Sequence, residues 1–495
     1  MQEQPDTSGY YGDREALASA LQSVLPVSAV LSHPEALKAY ECDGLSAYRS
    51  IPYIAVLPET VEQVQQVLKI CKRLQTPVVA RGAGTGLSGG ALPHERGVLL
   101  SLAKFKRILE VDVANRCARV EPGVRNIAIS EAVKSHGLYY APDPSSQIAC
   151  SIGGNVAENS GGVHCLKYGL TVHNIQQVKI LTFDGELHTL GSSALDSSGY
   201  DLLALITGSE GLLGIIVEIT VKLLPKPDTV QVLLASFNDV AAAGASVANV
   251  IAAGIIPAGL ELMDNAAIRA AEDFVNAGYP TDAAAILICE IDGPEDDVAE
   301  QVQRVSDVFK KSGASEVRIA HNETECKQLW AGRKAAFPAV GRISPDYYCM
   351  DGTIPRHQLA AVLTRITDLS NEYGLRVVNV FHAGDGNLHP LILYDANIEN
   401  QLEQTEELGR KILEACVDVG GTISGEHGVG VEKLDAMCVQ FNAVELQQLH
   451  AVKQAFDPDG LLNPGKAVPT LHRCAEFGAM HVHHGELSFP NIERF

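Results

Sequence analysis

The sequence predicts an α+β protein of two to three domains. Three observations carry that prediction. At 495 residues the chain exceeds what one ordinary core organises. Glycine clusters separate short strands in the first part of the chain, and Pro225-Lys-Pro227 closes that region. Beyond it, strand-like runs at 230–236, 258–263, 284–291 and 347–354 alternate with amphipathic stretches at 238–253, 266–277, 295–312 and 357–372. This reads as an antiparallel sheet covered by helices. The expected division is an N-terminal segment (1–50), a first domain (51–227), a second domain (228–425) and a C-terminal segment (426–495).

Apolar content of 46% and charged content of 20% are those of a globular protein. The net charge of −22, without a basic block, argues against nucleic acid and anionic membrane surfaces as partners. Eleven scattered cysteines include no C-x-x-C pair, which reads as a reduced, cytoplasmic chain with no iron–sulfur cluster of its own. There is no secretory leader pattern in residues 1–50, and no apolar run of roughly 18 residues.

Taken in order, Pro58-Glu-Thr opens a helix with Val61, Val64, Leu68, Cys71 and Leu74 on one face. A strand at 77–80 leads into Arg81-Gly-Ala-Gly-Thr-Gly-Leu-Ser-Gly-Gly90. Five glycines in ten residues let backbone amides close on an anion, and a pyrophosphate is the ligand such a cradle suits. Arg81, Thr85 and Ser88 would add donors. The plain alternative is a glycine-rich surface turn. Gly84 to Gly89 also fits G-x-G-x-x-G, but that pattern counts only where a helix follows. Here Pro93 and Gly97 make a helix improbable, so a nicotinamide-binding fold is excluded. Strands at 98–102, 108–113 and 117–121 follow, then a helix at 124–136.

The stretch from Ala141 to Gly162 again brings backbone close to something, through Gly153-Gly154-Asn155 and Gly161-Gly162. A hairpin at 176–190 carries the two-residue turn signal Asp184-Gly185. Gly208-Ser-Glu-Gly211 and Gly214 precede a strand from Ile215 to Leu224. Late in the second domain, His382 and His389 lie seven apart around Gly384-Asp-Gly386, as in a strand–turn–strand. Glu426-His427-Gly428 follows a helix at about 400–418, and residues 445–456 are helical. Cys474, His481, His483 and His484 mark the tail.

Five segments together, RGAGTGLSGGA, APDPSSQIACSIGGNVAEN, FHAGDGNLHP, SGEHG and FDPDGLLNPGK, resemble the vanillyl-alcohol-oxidase-type (PCMH) flavoproteins with a C-terminal FAD-linked oxidase domain. The resemblance covers nearly the whole chain, on the branch that oxidises 2-hydroxy acids. It implies a two-subdomain PCMH-type FAD-binding domain, an α+β cap domain, and a C-terminal segment that returns to the FAD domain.

It also implies FAD as cofactor. The residues that would hold it are Arg81, Gly82, Ala83, Gly84, Thr85, Gly86, Ser88 and Gly89 in the cradle; Pro142, Asp143, Ser145, Ser146, Gly153, Gly154, Asn155 and Asn159 in the second stretch; Gly208, Glu210, Gly211, Gly214 and Ile216 in the third; and Asn463, with Lys466 near the flavin. Some relatives attach FAD through a histidine or cysteine. His94 reads as an exposed loop residue, so FAD is expected to be non-covalent.

His382, His389 and Glu426 suit zinc or a similar divalent ion with an open coordination position. Two satisfied histidines in a turn are the plain alternative. His427 would take the substrate's hydroxyl proton, or merely orient Glu426. The family uses the arginine of Trp330-Ala-Gly-Arg333, here opening a helix, to grip the substrate carboxylate. Where 2-hydroxyglutarate relatives place a lysine, this chain has Cys349, which favours a short acid such as glycolate or D-lactate.

The partners implied are a second flavoprotein-like subunit and an iron–sulfur subunit of a glycolate oxidase complex, and through them attachment to the inner membrane. The tail would be a docking patch, a second metal site or idle. The alternatives are a D-lactate dehydrogenase acting alone, or an FAD-holding subunit without catalysis.

Overall fold

The computed structural model describes residues 14–194, 199–469, 482–483 and 486–487. They form two compact units. The first takes residues up to Ser160, Leu170–Pro225 and the chain from His427 onward. The second takes Gly161–Gly169 and Lys226–Glu426. The chain thus changes unit within Pro225-Lys-Pro227, and again between Glu426 and His427.

The first unit holds two sheets. One has four strands in the order Val30–Leu31, Ile54–Val56, Val98–Ser101, Val78–Arg81, the last three parallel. Its core includes Ile54, Val98 and Val78 and the buried face of the helix Val61–Arg73. Thr60 caps that helix, accepting from the Gln63 amide at 3.2 Å. The other sheet is antiparallel, in the order Ile108–Asp112, Cys117–Val120, Ile215–Lys222, Ile175–Leu181, Leu187–Gly191. It packs on the helices Asn126–Val133 and Ile152–Glu158 through Val120, Ile129, Ile152, Val156 and Ile219.

The hairpin turn differs from the expected two-residue form. The Thr182 amide bonds the Glu186 carbonyl at 3.0 Å, which encloses three residues with Gly185 at φ +78°. A three-residue loop with glycine in the left-handed region relieves the crossing that two residues would need here.

The second unit is a seven-stranded antiparallel sheet. Its order is Glu316–Ile319, Thr229–Phe237, Ala285–Gly293, Gly259–Asp264, Val377–Phe381, Pro390–Tyr394, Asp346–Cys349. Helices Val240–Ala252, Asn265–Val275, Glu295–Lys311 and Leu359–Tyr373 fall where the periodicity places them. The edge strand Glu316–Ile319 was not legible in the sequence, being short and half polar. The helix bearing Arg333 runs Glu323–Val340, so Arg333 sits in mid-helix rather than at its opening.

Gly161–Gly169 belongs to the second unit through its own contacts. His164 Nε2 lies 2.9 Å from Glu290 Oε1, and the Tyr168 hydroxyl donates to Asp292 at 2.6 Å. Among the described residues nine cysteines are free thiols, whereas Cys438 is disulfide-bonded, against the expectation of a reduced chain without a disulfide framework. Among the described residues no helix is long and apolar enough to cross a membrane. Cys474, His481 and His484 lie outside the described residues, and His483 is in a two-residue strand.

Candidate active site

The glycine loop follows its strand without a helix after it, as the sequence predicts. Gly84 and Gly89 have φ of +71° and +77°. A Cβ on Gly82 would lie 2.2 Å from Ser151 Oγ. Ser151 Oγ is buried with no hydrogen-bond partner, and so is Glu158 Oε2 at the far end of the following helix. Buried polar atoms are normally paired, so these mark places where a ligand supplies the partner. Ser151 lay inside the quoted second stretch but was not singled out. A serine at the N-cap of the helix Ile152–Glu158, two residues before Gly153-Gly154, was the available signal.

Other expected FAD contacts are already occupied. Arg81 Nη1 donates to the Cys42 carbonyl at 2.7 Å, and its guanidinium lies over the Tyr40 ring. Ser88 Oγ donates to the His427 carbonyl at 2.8 Å. Glu210, at φ +50°, accepts from the Val429 and Gly430 amides, both at 2.7 Å. Asn463 Nδ2 donates to the carbonyls of Gly90 and Glu210 at 3.0 and 2.6 Å. Asn159 Oδ1 accepts from the Val172 amide. These five side chains shape the cradle by tying it to neighbouring segments. Ile216 and Gly214 belong to the packing of the five-stranded sheet. Pro142 offers its carbonyl to Asn126 Nδ2 at 3.0 Å. The Gly153 and Gly208 amides bond the carbonyls of Pro122 and Val156, both at 2.8 Å.

Lys466 is buried against the Gly90 and Leu92 carbonyls and Asn463 Oδ1, and burial pulls its amine down to about 7. His94 is half-buried rather than exposed, and its Nδ1 accepts from the Arg96 amide at 3.1 Å.

In the second unit the two histidines converge. His382 ends the strand Val377–Phe381, and Gly386 turns the chain at φ +82°. The His382–Asn387 bridge then returns His389 alongside, with ring centroids 5.0 Å apart. Glu426 Oε1 lies 3.3 Å from His382 Nε2 and 3.2 Å from His389 Nε2. All three residues are buried. Burial alone would raise the Glu426 carboxyl, but the two imidazoles beside it hold it well below the usual carboxylate range. Burial alone would lower both histidines; adjacent carboxylates, Glu261 and Glu426 for His382, Asp351 and Glu426 for His389, raise them instead. Protons therefore balance the acidic groups here, and a divalent cation would displace them on binding.

Asp351, fully buried, aims Glu426. Its Oδ2 accepts from Ser424 Oγ at 2.8 Å and from the amides of Gly425 and Glu426 at 3.0 and 3.2 Å. Glu261, in the strand Gly259–Asp264, was missed by the sequence reading. Its two oxygens lie 2.9 and 3.0 Å from His382 Nδ1, and Oε2 accepts from Arg333 Nε at 2.8 Å. A glutamate in a strand buried on both faces must find a charged partner, which was the available signal. Phe337, one turn beyond Arg333, stands edge-on to His389 and to Tyr347, at 6.3 and 6.2 Å between centroids. His427 is half-buried and belongs to the first unit.

A glycine cradle with partnerless buried groups in the first unit, and two histidines, a carboxylate and a buried arginine in the second, define an FAD-dependent oxidoreductase of PCMH type. Residues 52–191 match the FAD binding domain family, and residues 226–467 match the family of FAD linked oxidases, C-terminal domain. The chain is 65% identical over 483 residues to glycolate oxidase subunit GlcD of Escherichia coli K12, covering 98% of this chain and 97% of that one. It is 39% identical to glycolate oxidase subunit GlcD of Bacillus subtilis (86% and 91% covered) and 33% identical to a D-lactate dehydrogenase of Anaerostipes hadrus (88% and 94%). The chain belongs to this family of FAD-linked oxidases. Among solved structures, p-cresol methylhydroxylase with substrate bound shares the fold with TM-score 0.80 at 19% identity, over 94% of this chain and 99% of that one. The 4-ethylphenol oxidase of Gulosibacter chungangensis has TM-score 0.78 at 17%, over 95% and 100%.

Proposed function

We propose that this chain oxidises glycolate, and D-lactate alongside it, to the 2-oxo acid, and passes the electrons through partner subunits to a quinone. The observation that carries the chemistry is the buried triad of His382, His389 and Glu426 beside a buried Arg333. The 65% identity to a glycolate oxidase subunit supports the substrate and the multisubunit setting.

FAD, held non-covalently by the glycine cradle, Ser151 and the 152–159 segment, supplies the acceptor for the hydride that leaves C2. The triad fits a divalent ion such as zinc. Nδ1 of His382 faces a carboxylate and so carries the proton, which leaves Nε2 as the ligand atom. A bound ion supplies Lewis acidity toward the 2-hydroxyl. Arg333 binds the substrate carboxylate through the guanidinium donors that Glu261 does not occupy. Its Nε and Nη2 face Glu261 Oε2 at 2.8 and 2.7 Å, which leaves Nη1 for an anion. His427 accepts the hydroxyl proton as the hydride departs. The aromatic pair Phe337 and Tyr347, with Cys349 on the strand Asp346–Cys349, suits a hydrogen or methyl substituent better than a second carboxylate.

The test is dye reduction by purified, FAD-loaded protein with glycolate, D-lactate, L-lactate and D-2-hydroxyglutarate. Turnover of glycolate and D-lactate is expected. Preference for D-2-hydroxyglutarate, or no turnover of any short acid, would overturn the assignment. Pull-downs from native cells that recover this chain alone, with full quinone reduction by it, would overturn the partners.

A further inference from the structure

We propose that Glu261 is a positioning residue that couples the metal-binding and carboxylate-binding halves of the site. The inference rests on the metal reading given above. Glu261 is 1% exposed, and its two charged neighbours, Arg333 and His382, are 1% and 3% exposed. One carboxylate therefore holds both. It faces His382 Nδ1 with two oxygens and takes Arg333 with a single one, Nε at 2.8 Å and Nη2 at 2.7 Å.

The consequence follows from charge. Glu261 is one negative charge shared between a permanent cation and an imidazole whose far nitrogen faces Glu426. The more of that charge His382 receives, the more basic its Nε2 and the tighter a cation is held there. Arg333 competes for the same charge. Metal occupancy and the hold on Arg333 are thus linked, although Arg333 is not a ligand. Glu290 provides a control of the same kind in the same place. It lies on the next strand, with Gly259 opposite Glu290 and Glu261 opposite Ile288, and it grips the same helix through Trp330 Nε1 at 2.6 Å. Its partners, Trp330 and His164, are not part of the triad.

The experiment is zinc titration of the FAD-loaded full chain, stripped by chelator dialysis, against a chromophoric chelator. The wild type is expected to take up about one zinc. E261Q should bind it roughly 10–100-fold more weakly, the usual effect of losing a carboxylate behind a histidine ligand. R333Q should bind it several-fold more tightly, a direction that mere loosening of the site does not produce. E290Q should stay within about threefold of wild type. Unchanged affinity in E261Q, or unchanged or weakened affinity in R333Q, overturns the coupling. If E261Q does not fold, the sign of the R333Q shift decides alone. A wild type that takes up no zinc instead overturns the metal reading itself, a result distinct from a zinc-binding wild type matched by E261Q.

Discussion

Gly430→Ala tests how the C-terminal segment is held on the glycine loop. Gly430 has φ +52°, and a Cβ there would lie 2.0 Å from the Ser88 carbonyl oxygen, 2.6 Å from its carbon and 2.8 Å from the Gly90 nitrogen. All three are backbone atoms, so no rotamer change relieves the clash. The segment must retreat by about 1 Å to reach ordinary contact. That stretches the bonds from the Val431 and Glu432 amides to the Ser88 carbonyl, now 3.0 and 3.1 Å, past their useful range. It also strains the 2.7 Å bond from the Gly430 amide to Glu210. Two neutral bonds contribute about 1 kcal/mol each and the bond to a carboxylate about 1.5–3 kcal/mol. The left-handed backbone costs alanine a further 1–2 kcal/mol or so. The sum is about 4.5–7 kcal/mol.

Gly460 and Gly465 are the controls, at φ +66° and +75° with nothing within 4 Å of a Cβ. Alanine there costs only the backbone term. At roughly 2–4 °C per kcal/mol, the flavin-release temperature should fall by about 9–28 °C in G430A and by less than about 8 °C in either control. A G430A protein melting with G460A would show that the contact is slack and the reasoning wrong.

Further outcomes follow from the two sites. His382→Ala, His389→Ala and Glu426→Gln should lose metal and activity together while keeping FAD, read by elemental analysis and flavin absorbance. His427→Asn should keep both and slow flavin reduction roughly 10²–10⁴-fold in stopped flow; a normal rate would leave His427 as an orienting residue. Arg333→Lys should raise KM for glycolate and D-lactate strongly, since a point charge cannot serve Glu261 and a carboxylate in the planes a guanidinium offers; unchanged kinetics would remove Arg333 from the site. Burial lowers Lys466 from 10.5 to about 7. The unfolded chain holds that proton between about pH 7 and 10.5 and the folded chain does not, so stability rises with pH across this window, levels off above about 10.5 and is flat below about 7. Denaturant midpoints at about pH 7.5 and 9.5 should differ less in K466M than in wild type; an equal difference would mean Lys466 stays charged.

Local chemistry was enough for much of the molecule. Glycine permits backbone conformations that other residues avoid, so the 81–90 loop and the Gly386 turn stood out without any tertiary context. Hydrophobic period placed the helices at 61–73, 240–252, 295–311 and 359–373, because a face that must be buried repeats every turn. The motifs named the histidines, Glu426 and the FAD class for the same reason: their chemistry lies in short contiguous segments.

What only the tertiary structure decided depends on residues far apart in the chain. Glu261 meets Arg333 across 72 positions and His382 across 121, and Glu210 meets Gly430 across 220. No periodicity links such pairs. They exist because a buried charge is unstable until a partner reaches it, and which partner reaches it depends on the order in which strands pair. The seven-stranded sheet sets Gly259–Asp264 beside Val377–Phe381, strands more than a hundred residues apart. That adjacency makes Glu261 a neighbour of His382, and it occupies donors of Arg333 that the sequence alone left open.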